Sequence, residues 1–145
     1  TVMLTEVSQN LWPLYKDHAN SLSPMLCKRI VDGRKISASE YLEMKDLIKK
    51  MSAYFNKIMK NFDGLITSPA PGEAPRGLAN TGSRMGTLPW TTVGSPVINI
   101  PGMSGKTGLP LGIQLVGRRY GDDSLIRAAQ WIAKKISVTL EKKLK

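Results

Sequence analysis

The 145-residue chain predicts an α/β fold. Two stretches, around residues 40–59 and 122–136, repeat apolar residues at helical spacing. Three short apolar runs, at 65–67, 97–100 and 111–116, are each closed by Pro or Gly in the manner of buried strands. The order of these elements, helices followed by three strands and a last helix, is that of an α/β arrangement.

Taken along the chain, residues 5–20 are ambiguous. Leu11, Trp12, Leu14 and Tyr15 are apolar, but Pro13 should interrupt any helix there. Ser23 is an expected N-cap and Pro24 suits the first helical position. Met25, Leu26, Ile30 and Val31 form the short apolar face of that helix, and Gly33 is its expected stop. Ser37 and Glu40 have capping-box spacing. Tyr41, Met44, Leu47, Ile48, Met51, Tyr54, Phe55, Ile58 and Met59 then mark one face of a long helix ending near Lys60. Asn61–Gly64 is a turn, and Leu65–Thr67 is a strand ended by Ser68-Pro69. Residues 69–96, with five Pro and five Gly, predict a long irregular segment of the kind that usually carries function. Val97–Ile100 is a second strand, stopped by Pro101. Gly102–Gly108 is a loop, and Leu111–Val116 is a third strand. Asp122 or Asp123 caps a final helix whose buried face is Leu125, Ile126, Ala129, Ile132, Ala133 and Ile136. Residues 137–145 form a basic tail. Three short strands make a thin sheet and are expected to belong to a larger one.

The length suits one domain with one core, and residues 1–145 are read as a single domain. No apolar run approaches the ~20 residues of a membrane span, so no membrane partner is expected. One Cys and one His exclude a disulfide framework and a multi-Cys or His-rich metal centre. No cofactor or metal is expected. The single Cys is compatible with a reducing compartment, and a cytoplasmic location is expected. The chain starts at Thr1 with sequence of mid-protein character, so the numbering is expected to begin inside a longer chain.

The net charge of +10 is unevenly spread. Residues 1–60 hold 10 basic and 6 acidic side chains, residues 61–117 hold 3 and 2, and residues 118–145 hold 8 and 3. A long, almost uncharged middle usually packs or lines a pocket. The basic ends read as solvated helix faces. Lysines outnumber arginines and no aromatic is interleaved with the tail, so no nucleic-acid partner is expected. Gly105-Lys106-Thr107 invites a phosphate-loop reading. The Gly required five positions earlier is Ile100, and Pro110 forbids the helix that would follow. His18 has no nucleophile motif to serve, Cys27 reads as structural, and there is no Gly-x-Ser-x-Gly elbow.

The uncharged middle carries an ordered set of motifs: Phe62-Asp63-Gly64-Leu65-Ile66-Thr67-Ser68-Pro69, Glu73-Ala74-Pro75, Trp90-Thr91, Gly94-Ser95-Pro96-Val97-Ile98-Asn99-Ile100-Pro101 and Gly108-Leu109-Pro110-Leu111-Gly112-Ile113-Gln114-Leu115-Val116-Gly117. Together they resemble the C-terminal part of the amidase signature family, over about residues 24–136. The resemblance implies an α/β fold in which this chain contributes to a mixed β-sheet core flanked by helices. It implies hydrolysis of a carboxamide C–N bond by a Ser-Ser-Lys triad that lies upstream of the matched region, so no catalytic position is carried onto this chain.

By the same resemblance, this part supplies sheet strands and pocket wall. Thr81–Ser95 is the expected pocket-lining stretch, with Thr87, Trp90 and Thr91 as substrate-binding residues. The glutamine-using members place an acid near the position of Arg84. Here none lies between Glu73 and Asp122, which counts against that subclass. A small-molecule amide is the implied substrate, and a complementary N-terminal portion or a second copy the implied partner. The alternative is a non-catalytic binding or scaffold module derived from such an enzyme.

Overall fold

Pro13 does not end the first helix. In the computed structural model, which describes the backbone of residues 1–143 and the side chains of residues 1–136, α1 runs over Val2–His18 with Pro13 inside it. Proline removes the hydrogen bond to the carbonyl of Gln9, but both residues are exposed and water can serve that oxygen. What holds α1 is its packing on α2, Pro24–Arg34. Ser8, buried to 2% exposure, donates its hydroxyl to the Ile30 carbonyl at 2.6 Å, and Ile30 itself is fully buried.

The chain divides into two compact units, Thr1–Lys50 and Met51–Lys145. In the first, the caps fall where the sequence places them. The Ser23 hydroxyl accepts from Leu26 N at 3.3 Å, and Pro24 opens α2. The Ser37 hydroxyl accepts from Glu40 N at 3.1 Å at the start of α3, Ala38–Met59. Gly33 is not the stop expected of it: α2 continues to Arg34. A Cβ on Gly33 would collide with the Leu4 carbonyl and lie 2.7 Å from Ser8 Cβ. The glycine is there so that two helices can touch. Lys28 and then Lys35 hydrogen-bond the Asp32 carboxylate and hold it below the usual carboxylate range. Lys50 does the same for Asp46 and is itself raised. These pairs are exposed and add little to stability.

The second unit is built on a three-stranded antiparallel sheet of order β1-β3-β2. β1 is Leu65–Thr67, β2 is Val97–Ser104 and β3 is Pro110–Val116. β2 does not stop at Pro101 as expected. It lies at one side of this sheet, where a residue without an N–H is tolerated, and a register irregularity between Pro101 and Met103 absorbs the break. Ile98 and Ile100 share one face with their cross-strand partners Leu115 and Ile113. Against that face packs α5, Asp122–Lys143, through Leu125, Ala128, Ala129, Ile132, Ala133 and Ile136; Ile126, expected on the buried face, is exposed, and Ala128 packs there instead. Each fully buried aliphatic side chain contributes about 1.5–3 kcal/mol to this core. Asp122 and Asp123 lie inside the first turn of α5, where their charge suits the helix dipole, and Leu125 N bonds back to the Gly121 carbonyl. The basic tail expected over 137–145 lies outside the described side chains.

A further helix, α4, Leu88–Val93, interrupts the stretch expected to be irregular. Pro89 sits in its first turn, and Gly94, at φ 70°, accepts the left-handed conformation that ends it. The α3 residues of this unit carry it. The Ser52 hydroxyl donates to the Val93 carbonyl at 2.8 Å, and the Phe55 ring lies 5.4 Å from that of Trp90.

Replacing Gly33 by Ala tests the contact between α1 and α2. Helix propensity alone would stabilise Ala by about 1 kcal/mol. The collision with the Leu4 backbone predicts instead a loss of about 2 kcal/mol in urea unfolding. A stabilised variant would contradict the packing described.

Candidate functional site

The exit of β1 fixes the site. After Thr67 the chain enters Ser68–Pro75, loops through residues 76–83, and returns at Gly86 to start α4. The return is held by one buried side chain. Gln114, in the middle of the sheet and 1% exposed, donates from Nε2 to the Thr67 hydroxyl at 2.9 Å and to the Gly86 carbonyl at 2.8 Å. Gly86 fits because it has no side chain: a Cβ would meet the Ser68 and Pro69 carbonyl oxygens, the former at 2.5 Å. Thus β3 fixes where α4 begins, shortly after Gly86.

Between the Ser68–Pro75 segment and the loop end of the β2–β3 hairpin lies a cleft of about 670 Å³. Its polar lining includes Asn80, Thr81, Ser83 and Asn99, and its apolar lining Pro69, Met103 and Leu111. Amide and hydroxyl side chains offer both donors and acceptors, as recognition of a neutral carboxamide requires. Glu73 closes one side: its carboxylate accepts from the loop that joins β2 to β3.

Of the stretch read as pocket-lining, Thr81, Gly82 and Ser83 line this cleft, and the last residues form α4 and its cap. Thr87, Trp90 and Thr91 sit at the cap and first turns of α4 and are not in the cleft lining. Thr87 and Thr91 lie one turn apart. The Thr91 hydroxyl donates to the Thr87 carbonyl at 3.3 Å, and the Thr87 hydroxyl to the Arg84 carbonyl at 3.3 Å. Trp90 turns inward onto Phe55. Its indole N–H is shut off from solvent and has no hydrogen-bond partner among the described residues; the same holds for the Ser95 hydroxyl. Buried donors are rarely left so.

Three features escape the sequence reading. The helix α4 had its signals, a Pro in the first turn and Gly94 at the end, hidden by a stretch rich in both residues. The role of Glu73 had one signal, a lone acid in an uncharged segment. Gln114 had one signal, a polar residue inside an apolar strand run. It reaches a backbone carbonyl outside the sheet and a threonine hydroxyl on the neighbouring strand. Cys27 is half-buried, with its thiol 3.6 Å from the Ala19 carbonyl, and His18 is exposed. Among the described residues no helix is long and apolar enough to cross a membrane.

The sheet, its helix and the motif-bearing loops define a class, the α/β fold of amidases. The crystal structure of an amidase superposes with a TM-score of 0.80 at 21% identity, over 91% of this chain and 33% of that one. The structure of an inhibitor-bound vestigial protein complex, tied to the origins of an s-triazine catabolic enzyme, superposes with a TM-score of 0.78 at 20% identity, over 91% and 32%.

Residues 5–126 match the family model described as Amidase, and the chain belongs to the amidase family. Among curated relatives, a fatty acid amide hydrolase from Medicago truncatula is 26% identical over 70% of this chain and 19% of its own length. The A subunit of a glutamyl-tRNA(Gln) amidotransferase from Wolinella succinogenes is 27% identical over 92% of this chain and 32% of its own. The chain therefore spans about a fifth to a third of these relatives.

The buried tie at Gln114 has a direct test. Gln114→Met keeps the volume but leaves the Gly86 carbonyl and the Thr67 hydroxyl without their donor. It should lower unfolding stability by about 2 kcal/mol, measured by urea titration. A change under about 0.5 kcal/mol, the size of a surface substitution, would contradict the role given to it.

Proposed function

We propose that this chain is the C-terminal part of an amide hydrolase, supplying sheet strands and one wall of the substrate pocket. The family match over residues 5–126 carries this reading. In the reaction, a serine hydroxyl attacks the carbonyl carbon of the amide. The C–N bond breaks, the amine leaves with a proton, and water releases the acid from the acyl-serine. The serine, the second serine and the lysine that activate one another belong to polypeptide outside this chain, in keeping with the share of its relatives that the chain spans. A serine gains nucleophilicity only from a placed base.

On this reading the cleft takes the acyl part of the substrate, while Thr87 and Thr91, outside the cleft lining, present hydroxyls to the substrate from the start of α4 and Trp90 forms the floor behind them. The partner is the remainder of the enzyme, as a preceding portion of polypeptide or a separate chain. The matched proteins include a protein complex and amidotransferase subunits. The outer side of β1 is unpaired among the described residues, and Phe62, Ile66 and Trp131 are exposed beside it, as a sheet that continues into such a partner would leave them. A cytoplasmic location fits the cysteine usage.

The 145-residue chain alone should show no amide turnover above a matched blank. Turnover that disappears with a serine-directed inhibitor would overturn the assignment of catalysis to other polypeptide. Where activity is restored by the remainder of the enzyme, Trp90→Leu should raise KM severalfold with kcat largely kept, because it removes the aromatic floor behind the two threonines. An unchanged KM would remove Trp90 from substrate contact.

A further inference from the structure

Glu73 is the one acid between Asp63 and Asp122, and its half-exposed carboxylate is taken up by hydrogen bonds. Its Oε1 accepts from the Thr107 backbone N–H at 2.9 Å, the Thr107 hydroxyl at 2.9 Å and the Leu109 N–H at 3.2 Å; Oε2 accepts from Thr107 N at 3.3 Å. All these donors lie on the connection between β2 and β3. That connection is itself closed by Gly105 N bonding to the Leu109 carbonyl at 2.9 Å and Gly108 N to the Gly105 carbonyl at 3.1 Å. A Cβ on Gly105 would occupy the volume taken by the Glu73 Cγ and carboxyl group, so the loop is shaped around that carboxylate. Glu73 also lines the cleft, as do Met103, Pro110 and Leu111 at the hairpin end. One carboxylate therefore joins the two walls, the Ser68–Pro75 segment and the hairpin. Bonds from N–H and O–H groups to an ionised carboxylate are roughly twice as strong as neutral ones, enough to hold the otherwise exposed Gly105–Leu109 loop in one place.

We infer that Glu73 is a positioning residue: it pins the Gly105–Leu109 loop as the rim of the cleft and so sets the size of the acyl group that the cleft admits. The inference rests on the amide reading given above. It does not require Glu73 to touch the amide.

The test uses the 145-residue chain and three variants. Glu73→Ala removes the acceptor. Gly105→Ala pushes the carboxylate out without changing any charge. Glu73→Gln keeps one acceptor oxygen and loses the charge. Hydrogen exchange is read at the Thr107 and Leu109 amides, with Ile113 and Leu115 as internal reporters of an intact sheet. Acetamide, hexanamide and benzamide are titrated as probes and followed by the amide shifts of Asn99 and Gly112.

In Glu73→Ala and Gly105→Ala, exchange at Thr107 and Leu109 should accelerate about tenfold or more while the sheet reporters keep their rates. The ranking of the three probes should move toward the larger acyl groups. Glu73→Gln should fall between these variants and the unsubstituted chain. Unchanged exchange in both alanine variants would overturn the pin. Faster exchange with an unchanged probe ranking would overturn the specificity role and leave Glu73 a simple loop tie. Absence of any shift in the unsubstituted chain overturns the specificity role whatever the exchange rates do, while the amide reading is tested separately by turnover with the remainder of the enzyme.

Discussion

Everything around the candidate site hangs on a single primary amide in the middle of the sheet. Gln114 sits on the central strand, is almost wholly removed from water, and bonds from its side chain to the hydroxyl of its ladder partner Thr67 and to the Gly86 carbonyl, which the ladder does not reach. One bond ties β3 to the last residue of β1. The other ties β3 to a carbonyl that arrives after a long excursion through the Pro/Gly-rich segment. A polar group in such a position is costly when unpaired and specifying when paired. An apolar residue of similar volume could pack there, but it would not select where the returning chain settles. This is why a glutamine can occupy a strand otherwise read as Leu, Ile and Val.

From that tie the rest follows by short steps. Gly86 is held against the exit of β1, α4 begins soon after it, and the α3 residues Ser52 and Phe55 seat its far end and its tryptophan. On the other side of the cleft, Glu73 plays for the hairpin end the part that Gln114 plays for α4. Both devices use a single side chain to position a segment that has little regular hydrogen bonding of its own. A wall made largely of Pro, Gly and small polar residues gains order this way without a large apolar core beneath it. The core itself lies elsewhere, between α5 and the sheet face that carries Ile98, Ile100, Ile113 and Leu115.

What could be read from the sequence was what depends on periodicity or on local capping. The long helix α3, most of the apolar face of α5, the short strand β1 and the Ser23 and Ser37 caps need only neighbours in sequence and are legible there. Pro13 and Pro101 are local breakers. Packing against α2 in one case and a place at the side of the sheet in the other override that local rule. Gly33 misled for the same reason: its purpose is a contact with Leu4, far away in sequence. The family was legible as an ordered set of motifs, although no single motif would have been specific. The cleft was not, because its lining comes from separated stretches joined by Gln114 and Glu73, and long-range bonds of that kind leave no periodic trace.

The most direct measurement is NMR of the Gln114 side-chain amide in the 145-residue chain. Two well-separated Nε2 proton resonances are expected, with slow exchange with water and nuclear Overhauser contacts to Gly86 and Thr67. A pair of resonances exchanging at the rate of a solvated glutamine, without those contacts, would contradict the tie, and the placement of α4 and the candidate site would lose its foundation.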